Sequence, residues 1–395
     1  MSYHSYDYLE PEAGRPRFDL DDECDRVPVH ELGLDPGQHA RVARLLHESV
    51  VISLHDHPVR FPRDMRETPA YNRTGRQHTA FEGLARSGLT AVFDNMMDGT
   101  ACVTGKAPWR WDDVVTDLGM RQADLAHQGG VVVARGVADI LAAKREGRVA
   151  LVFGLEAATP IENELERLDV LFGLGLRQIG IAYSDSNALG TGCSESTDGG
   201  LTAFGARAVR RMNALGLVVD VSHSSERTAL QVCEVSEDPV FITHAGARAV
   251  WDIPRLKGDD VLRAVAATGG VIGVSAAPHT TLSHAHPAHS VESVMAHFEH
   301  IAELVGLVHT TFGPDTLYGD HVGLHTEFAG MLAGATSGAP PHPRVPYVSG
   351  LESPTEWPTT VTGWLVAHGY SDADITTVLG ANTLTAVGRV WPAPS

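Results

Sequence analysis

Eight short apolar runs, separated by longer amphipathic stretches, restrict the fold more than any other feature of this chain. They are VVISLH (50–55), GLTAVFDN (88–95), RVALVFGLE (148–156), RQIGIAYS (177–184), LGLVVDVSH (215–223), PVFITHA (239–245), GGVIGVSA (269–276) and TLYGDHVG (316–323). Continuous apolar runs bounded by Gly or Pro belong to strands buried on both faces, and helical stretches between them imply parallel crossovers. Segments such as IENELERLDVLFGLG, TAFGARAVRRMNALG and SVMAHFEHIAELVG supply those helices, with apolar stripes of period 3.6. The spacing predicts an α/β fold of the (β/α)₈ barrel type, which tolerates 395 residues as one unit. An open doubly wound sheet is the alternative, but no glycine-rich phosphate loop marks a switch point.

The rhythm starts late and is interrupted twice. Residues 1–48 are polar, Pro-containing and then helical, and read as an N-terminal cap on a barrel domain spanning 49–395. Long Pro/Gly/Ser-rich connections at 277–290 and 324–356 follow the seventh and eighth runs. Both should lie at the C-terminal face of the barrel, where such folds keep their active-site loops. Four histidines in the first of them, His279, His284, His286 and His289, read as a solvated loop, with a lid or a metal tract as the alternatives.

Composition narrows the function. Thirty basic against 49 acidic side chains leave a formal charge of −19, which repels nucleic acid and anionic lipid. Cys24, Cys102, Cys193 and Cys233 form no CxxC pair, so reduced thiols are expected. With no basic-then-apolar leader and no apolar stretch of about 18 residues, the expected location is cytoplasmic, with no membrane partner.

Ligand-type side chains stand at or just beyond the ends of five runs: His55 and His57, Glu156, His223, His244 and Asp320. In an H-x-H pair on a strand, the period of two places both imidazoles on one face, where they can chelate one ion. Imidazoles and carboxylates converging on a barrel mouth suit zinc or a similar divalent ion that acidifies a water molecule. More ligands than one tetrahedral ion needs predict two ions. Asp320 is then the expected proton carrier.

These segments resemble those of the renal (membrane) dipeptidase family, peptidase family M19, among the amidohydrolase-like metallopeptidases. The resemblance covers residues 48–392. VISLHDH is similar to the family's H-x-D strand, GLEAATPIE to the segment of its metal-bridging glutamate, and DVSH and PVFITHAGARAV to the surroundings of its later histidines. IPRLKGDDVL, YGDHVG and VLGANTLTAVGRVW resemble its substrate-carboxylate segment, its aspartate loop and its closing helix. The resemblance implies one metal on His55, His57 and Glu156, a second on Glu156, His223 and His244, Asp320 as catalytic acid/base, and Arg255 on a substrate carboxylate. It also implies a homodimer and a dipeptide-like small-molecule substrate.

Three departures stand out. His57 replaces the family's aspartate, Tyr183 stands where the family uses a histidine to polarise the scissile carbonyl, and GDHVG lacks a second acid. Tyr183 can still bind substrate and donate a hydrogen bond to a developing oxyanion. The expected function is metal-dependent hydrolysis of an amide or peptide bond in a small carboxylate-bearing substrate. A lyase, decarboxylase or deaminase on the same barrel, or a silent metal-binding homologue, would use the same ligands and stays open here.

Overall fold

The computed structural model describes residues 3–10, 14–74 and 76–392. Ten parallel strands make one sheet: β1 Ile52–Arg60, β2 Ala91–Met96, β3 Val131–Val133, β4 Val149–Leu155, β5 Gln178–Gly180, β6 Val218–Asp220, β7 Val240–Ala245, β8 Ile272–Val274, β9 Thr310–Phe312 and β10 Leu317–Tyr318. Their order is β10-β1-β2-β4-β5-β6-β7-β8-β9, with β3 pairing β4 alongside. β9 and β10 are successive stretches of one segment, bent at residues 313–316, so the sheet returns to β1. The Asp315 amide donates to the His55 carbonyl at 2.9 Å and the His57 amide to the Thr316 carbonyl at 2.8 Å, which stitches that seam. Eight strand positions, counting the bent segment once, form a (β/α)₈-type barrel.

Register separates inside from outside. Ile52, Leu54, Ala91, Phe93, Ala150, Val152, Val218, Phe241 and Val271 pack as one buried cluster. Side chains from five strands around the ring, with Val271 just before β8, meet only in a barrel lumen. Trp391 closes its base, stacking on Phe93 with centroids 5.9 Å apart. The alternating residues Leu151, Phe153 and Leu155 of β4 instead pack in the larger cluster with Leu118, Leu168 and Met212 of the helices. Strand alternation thus feeds both layers.

The alternation slips where chemistry begins. Pairing of β1 with β2 shifts register between Ser53 and Asp56, and β7 with β8 between Ile242 and Ala245. A bulge places two successive side chains on one side. Leu54 and His55 therefore both point inward, and His57 follows. Asp56 points outward, where its carboxylate accepts from Ser53 Oγ (2.5 Å), the Thr316 amide and hydroxyl (2.7 Å each) and Trp357 Nε1 (3.2 Å). These bonds pin β1 to β10.

Two expectations change. The eighth run is strand only over Leu317–Tyr318, and His321–Glu327 is helix, because Asp320 caps it: its Oδ1 accepts the Gly323 amide at 2.8 Å. In the 277–290 connection, His284 and His286 are exposed, but His279 and His289 are buried. The Thr281 hydroxyl donates to the Ser275 carbonyl and lies 3.1 Å from His289 Nε2, and the His279 amide donates to His289 Nδ1. The loop is folded inward by its own hydrogen bonds. In the N-terminal segment, the helix Pro36–Glu48 starts at an Asp35 capping box and packs on the helix Trp357–Ala367. No helix among the described residues is long and apolar enough to cross a membrane.

Candidate metal centre

At the C-terminal rim, six side chains form two groups that share one member. His55, His57, Glu156 and Asp315 bring one ligand atom each within 4.8 Å of one another, and so do Glu156, His223 and His244. Glu156 Oε1 lies 3.3 Å from His55 Nε2 and 3.5 Å from both His223 Nε2 and His244 Nε2. Asp315 Oδ1 lies 3.4 Å from His55 Nε2 and 3.5 Å from His57 Nε2. One carboxylate oxygen equidistant from imidazoles of both groups is the arrangement a bridging ligand needs.

The surroundings leave the inward nitrogens free for a cation. His57 Nδ1 donates to the Asn95 carbonyl at 2.7 Å. His244 Nδ1 donates to Thr243 Oγ1 at 2.9 Å, and that hydroxyl donates to Asp220 Oδ2 at 2.9 Å. Each bond fixes the proton on Nδ1 and turns a bare Nε2 inward, as outer partners of metal-bound histidines do. His55 Nε2 is buried without a hydrogen-bond partner, and the Nε2 atoms of His223 and His244 face each other at 2.9 Å. Nitrogen lone pairs, the buried Glu156 carboxylate and the partly buried Asp315 carboxylate around one spot require compensating positive charge. The residues fit divalent cations.

The electrostatics agree. Burial alone would raise the Glu156 carboxyl, but the His223 and His55 imidazoles hold it far below the usual carboxylate range. Asp315 is likewise pushed up by burial yet held well below that range by His244 and His55. Burial opposes charge on His55, but Asp315 and Glu156 outweigh it and hold the imidazole up at about 10. Burial and Arg255 push His223 down to about 4.

Backbone approach positions the Glu156 carboxylate. Asp98, at the start of the helix Asp98–Gly105, accepts the amides of Glu156 and Ala157 at 3.2 Å each. A Cβ on the next residue, Gly99, would fall 1.6 Å from Glu156 Oε2, so only glycine lets that helix come so close.

Of the residues expected from sequence, His55, His57, Glu156, His223 and His244 come together. Tyr183 joins them at the rim of a cleft of about 640 Å³, open mouth included, its ring stacked on His223 with centroids 4.0 Å apart. Arg255 borders the same cleft, donating to the Ser222 and His244 carbonyls at 3.0 Å each, with Nη2 3.2 Å from His223 Nε2. Asp320 is not brought in, since its carboxylate is the helix cap described above and belongs to neither ligand group. Asp315 stands in the first ligand group instead. It sits at φ +61°, in the left-handed region that aspartate tolerates better than most residues, and this bend turns its carboxylate inward. Sequence reading missed it because the eighth run was placed at 316–323, past the strand Thr310–Phe312. The stretch TTFGPD, a strand followed by Gly, Pro and an acid, carried the signal. Asp98, Gly99, His321 and His325 were missed too, and no spacing in the sequence marks them.

Known proteins bear on this geometry. The chain is 28% identical over 279 residues to Dipeptidase verJ of Clonostachys rogersoniana, covering 69% of this chain and 64% of that protein. It is 29% identical over 254 residues to Dipeptidase tcpJ of Claviceps purpurea, covering 64% and 53%. It thus spans less than two thirds of the length of these curated relatives. An amidohydrolase from Pseudomonas aeruginosa superimposes with a TM-score of 0.71 at 23% identity, covering 89% of this chain and 99% of that one. A metallo peptidase from Rhodobacter sphaeroides, liganded with a phosphinate mimic of L-Ala-D-Ala, gives 0.67 at 22%, covering 87% and 100%. Residues 39–393 match the sequence profile described as membrane dipeptidase (peptidase family M19), and the chain belongs to that family.

Proposed function

We propose that this chain is a binuclear metal-dependent hydrolase of the dipeptidase type, cleaving an amide bond in a small substrate that carries a carboxylate. The observation that carries this reading is the pair of imidazole–carboxylate groups sharing Glu156 beneath an enclosed cleft. His55, His57, Glu156 and Asp315 would hold one ion and Glu156, His223 and His244 the other. The donor set of four imidazoles and two carboxylates suits zinc. When bound, such ions acidify water and polarise a carbonyl.

The chain's own groups divide the remaining work. Asp315, kept ionised and set between the first-site imidazoles, accepts the proton of the attacking water and returns it to the leaving amine. The Tyr183 hydroxyl borders the cleft and donates to the carbonyl oxygen as negative charge develops there. Arg255 has five N–H donors and two of them go to the Ser222 and His244 carbonyls, which leaves others for a substrate carboxylate.

The test joins metal analysis to product analysis. Metal-replete protein should contain about two divalent ions per chain, release free amine from members of a dipeptide and N-acyl amino acid panel, lose this on chelation and regain it on readdition. Two bound ions without amine release from any panel member would overturn the hydrolase reading.

A further inference from the structure

The cleft departs from what a free dipeptide needs, because an α-ammonium requires an anionic partner. Among the described residues only two carboxylates line it, Glu156 and Asp315, and both belong to the ligand groups, with Asp315 Oδ1 already beside His55 and His57. The nearest other acids are committed elsewhere or lie outside the lining. Asp98 holds two backbone amides, Asp320 caps its helix, and Asp185 is exposed. Two carboxylates cannot neutralise two divalent ions, and Arg255 adds a further positive charge. An ammonium entering this space meets like charge on most sides.

The wall beyond the metal groups has a different chemistry. The His321 ring is 6% exposed, lines the cleft and has no hydrogen-bond partner among the described residues. Its neighbour His325, 4.7 Å away edge to face, donates Nδ1–H to the Pro278 carbonyl and keeps its other nitrogen free. Leu324, Leu332 and Ala335 line the same wall, with Thr280 and Thr336, whose hydroxyls donate to the Ala277 and Leu332 carbonyls. A buried imidazole set among apolar side chains offers an ammonium no anion and suits an uncharged acyl group.

Resting on the hydrolase reading above, we propose that the substrate class is the N-acyl amino acid, uncharged on the acyl side of the scissile amide, with His321 as the specificity-determining residue on that side. Water oxygen bonds to the acyl carbon and the C–N bond breaks. Both water protons end on the leaving nitrogen, one carried by Asp315 and one released as the new acid ionises, so the products are a carboxylate and an amino acid with a free ammonium.

A matched pair tests this. Alanyl-alanine and isobutyryl-alanine differ by an ammonium against a methyl group at one position. Metal-replete protein should turn over isobutyryl-alanine with a kcat/KM at least about tenfold higher, the scale of one charged interaction. Titration calorimetry with the corresponding phosphinates, one N-terminally free and one with methyl in place of the amine, should show the same order without turnover. His321→Asp should supply the missing anion and narrow or invert the ratio, while His321→Asn should preserve it. Equal or preferred use of alanyl-alanine, or tighter binding of the free-amine phosphinate, overturns the substrate class and leaves the hydrolase reading standing. An unchanged ratio in His321→Asp removes His321 from the assignment. No turnover of either substrate together with no binding of either phosphinate overturns both readings.

Discussion

The two halves of the metal centre share Glu156 but are built differently. The half on His55 and His57 has a second carboxylate, Asp315, and lies across the seam where β1 meets the bent eighth strand. The half on His223 and His244 has no second acid. Arg255 lies 3.2 Å from His223 Nε2, and His244 is held through Thr243 by Asp220. The first half therefore neutralises more of a bound cation's charge, and the second leaves more of it to act on a substrate anion. On the proposed reading, protonation chemistry would concentrate on one side and carboxylate recognition on the other.

The sharpest way to break this comparison is to remove the shared ligand. Glu156→Gln should reduce the metal content from about two ions to at most one and cause the largest loss of turnover of any single change. Retention of both ions, measured by elemental analysis, would show that the halves are independent. Next in size is Asp315→Asn, which should lose about 10²- to 10⁴-fold in kcat while keeping an ion on the His223 side. Near-normal kcat would return the proton-carrier role to another group, and Asp320→Ala in parallel tests the obvious rival. That variant should lose about 1 kcal/mol of stability, as a missing helix cap does, with far less effect on kcat than Asp315→Asn.

Smaller again is Arg255→Met, expected to lower kcat/KM about ten- to hundredfold for substrates with a free carboxylate and to spare their amides. Equal loss on both classes would make Arg255 a support for the His223 and His244 carbonyls only.

The smallest effect concerns acid stability. His297 is fully buried, with Nδ1 accepting the Ala247 amide at 3.0 Å and Nε2 donating to the Leu282 carbonyl at 2.7 Å. Burial holds its pKa down at about 4, below the ordinary value of 6.5. The unfolded chain then binds the extra proton first, so this contribution to stability is complete above about pH 6.5 and is lost as pH falls toward 4. Urea melts at pH 7 and pH 5 should show wild type losing more stability on acidification than His297→Gln. An identical pH slope would remove His297 as the acid-sensitive group.

Much of this molecule was legible before any coordinates. Buried parallel strands must be apolar along their whole length, so the eight runs announced a barrel, and five candidate ligands stood at or just beyond the ends of those runs, toward the face where lumen-facing side chains meet solvent. Chemical identity and short-range spacing are properties of the chain itself. What only the tertiary structure decided was convergence. A register shift turned His55 inward beside Leu54, a left-handed bend at residue 315 brought Asp315 to the centre, and a helix cap took Asp320 away. Each depends on which backbone groups of distant segments pair across the β1–β10 seam. Local sequence cannot specify such pairings, because the partners lie about 260 residues apart and meet only when the barrel closes.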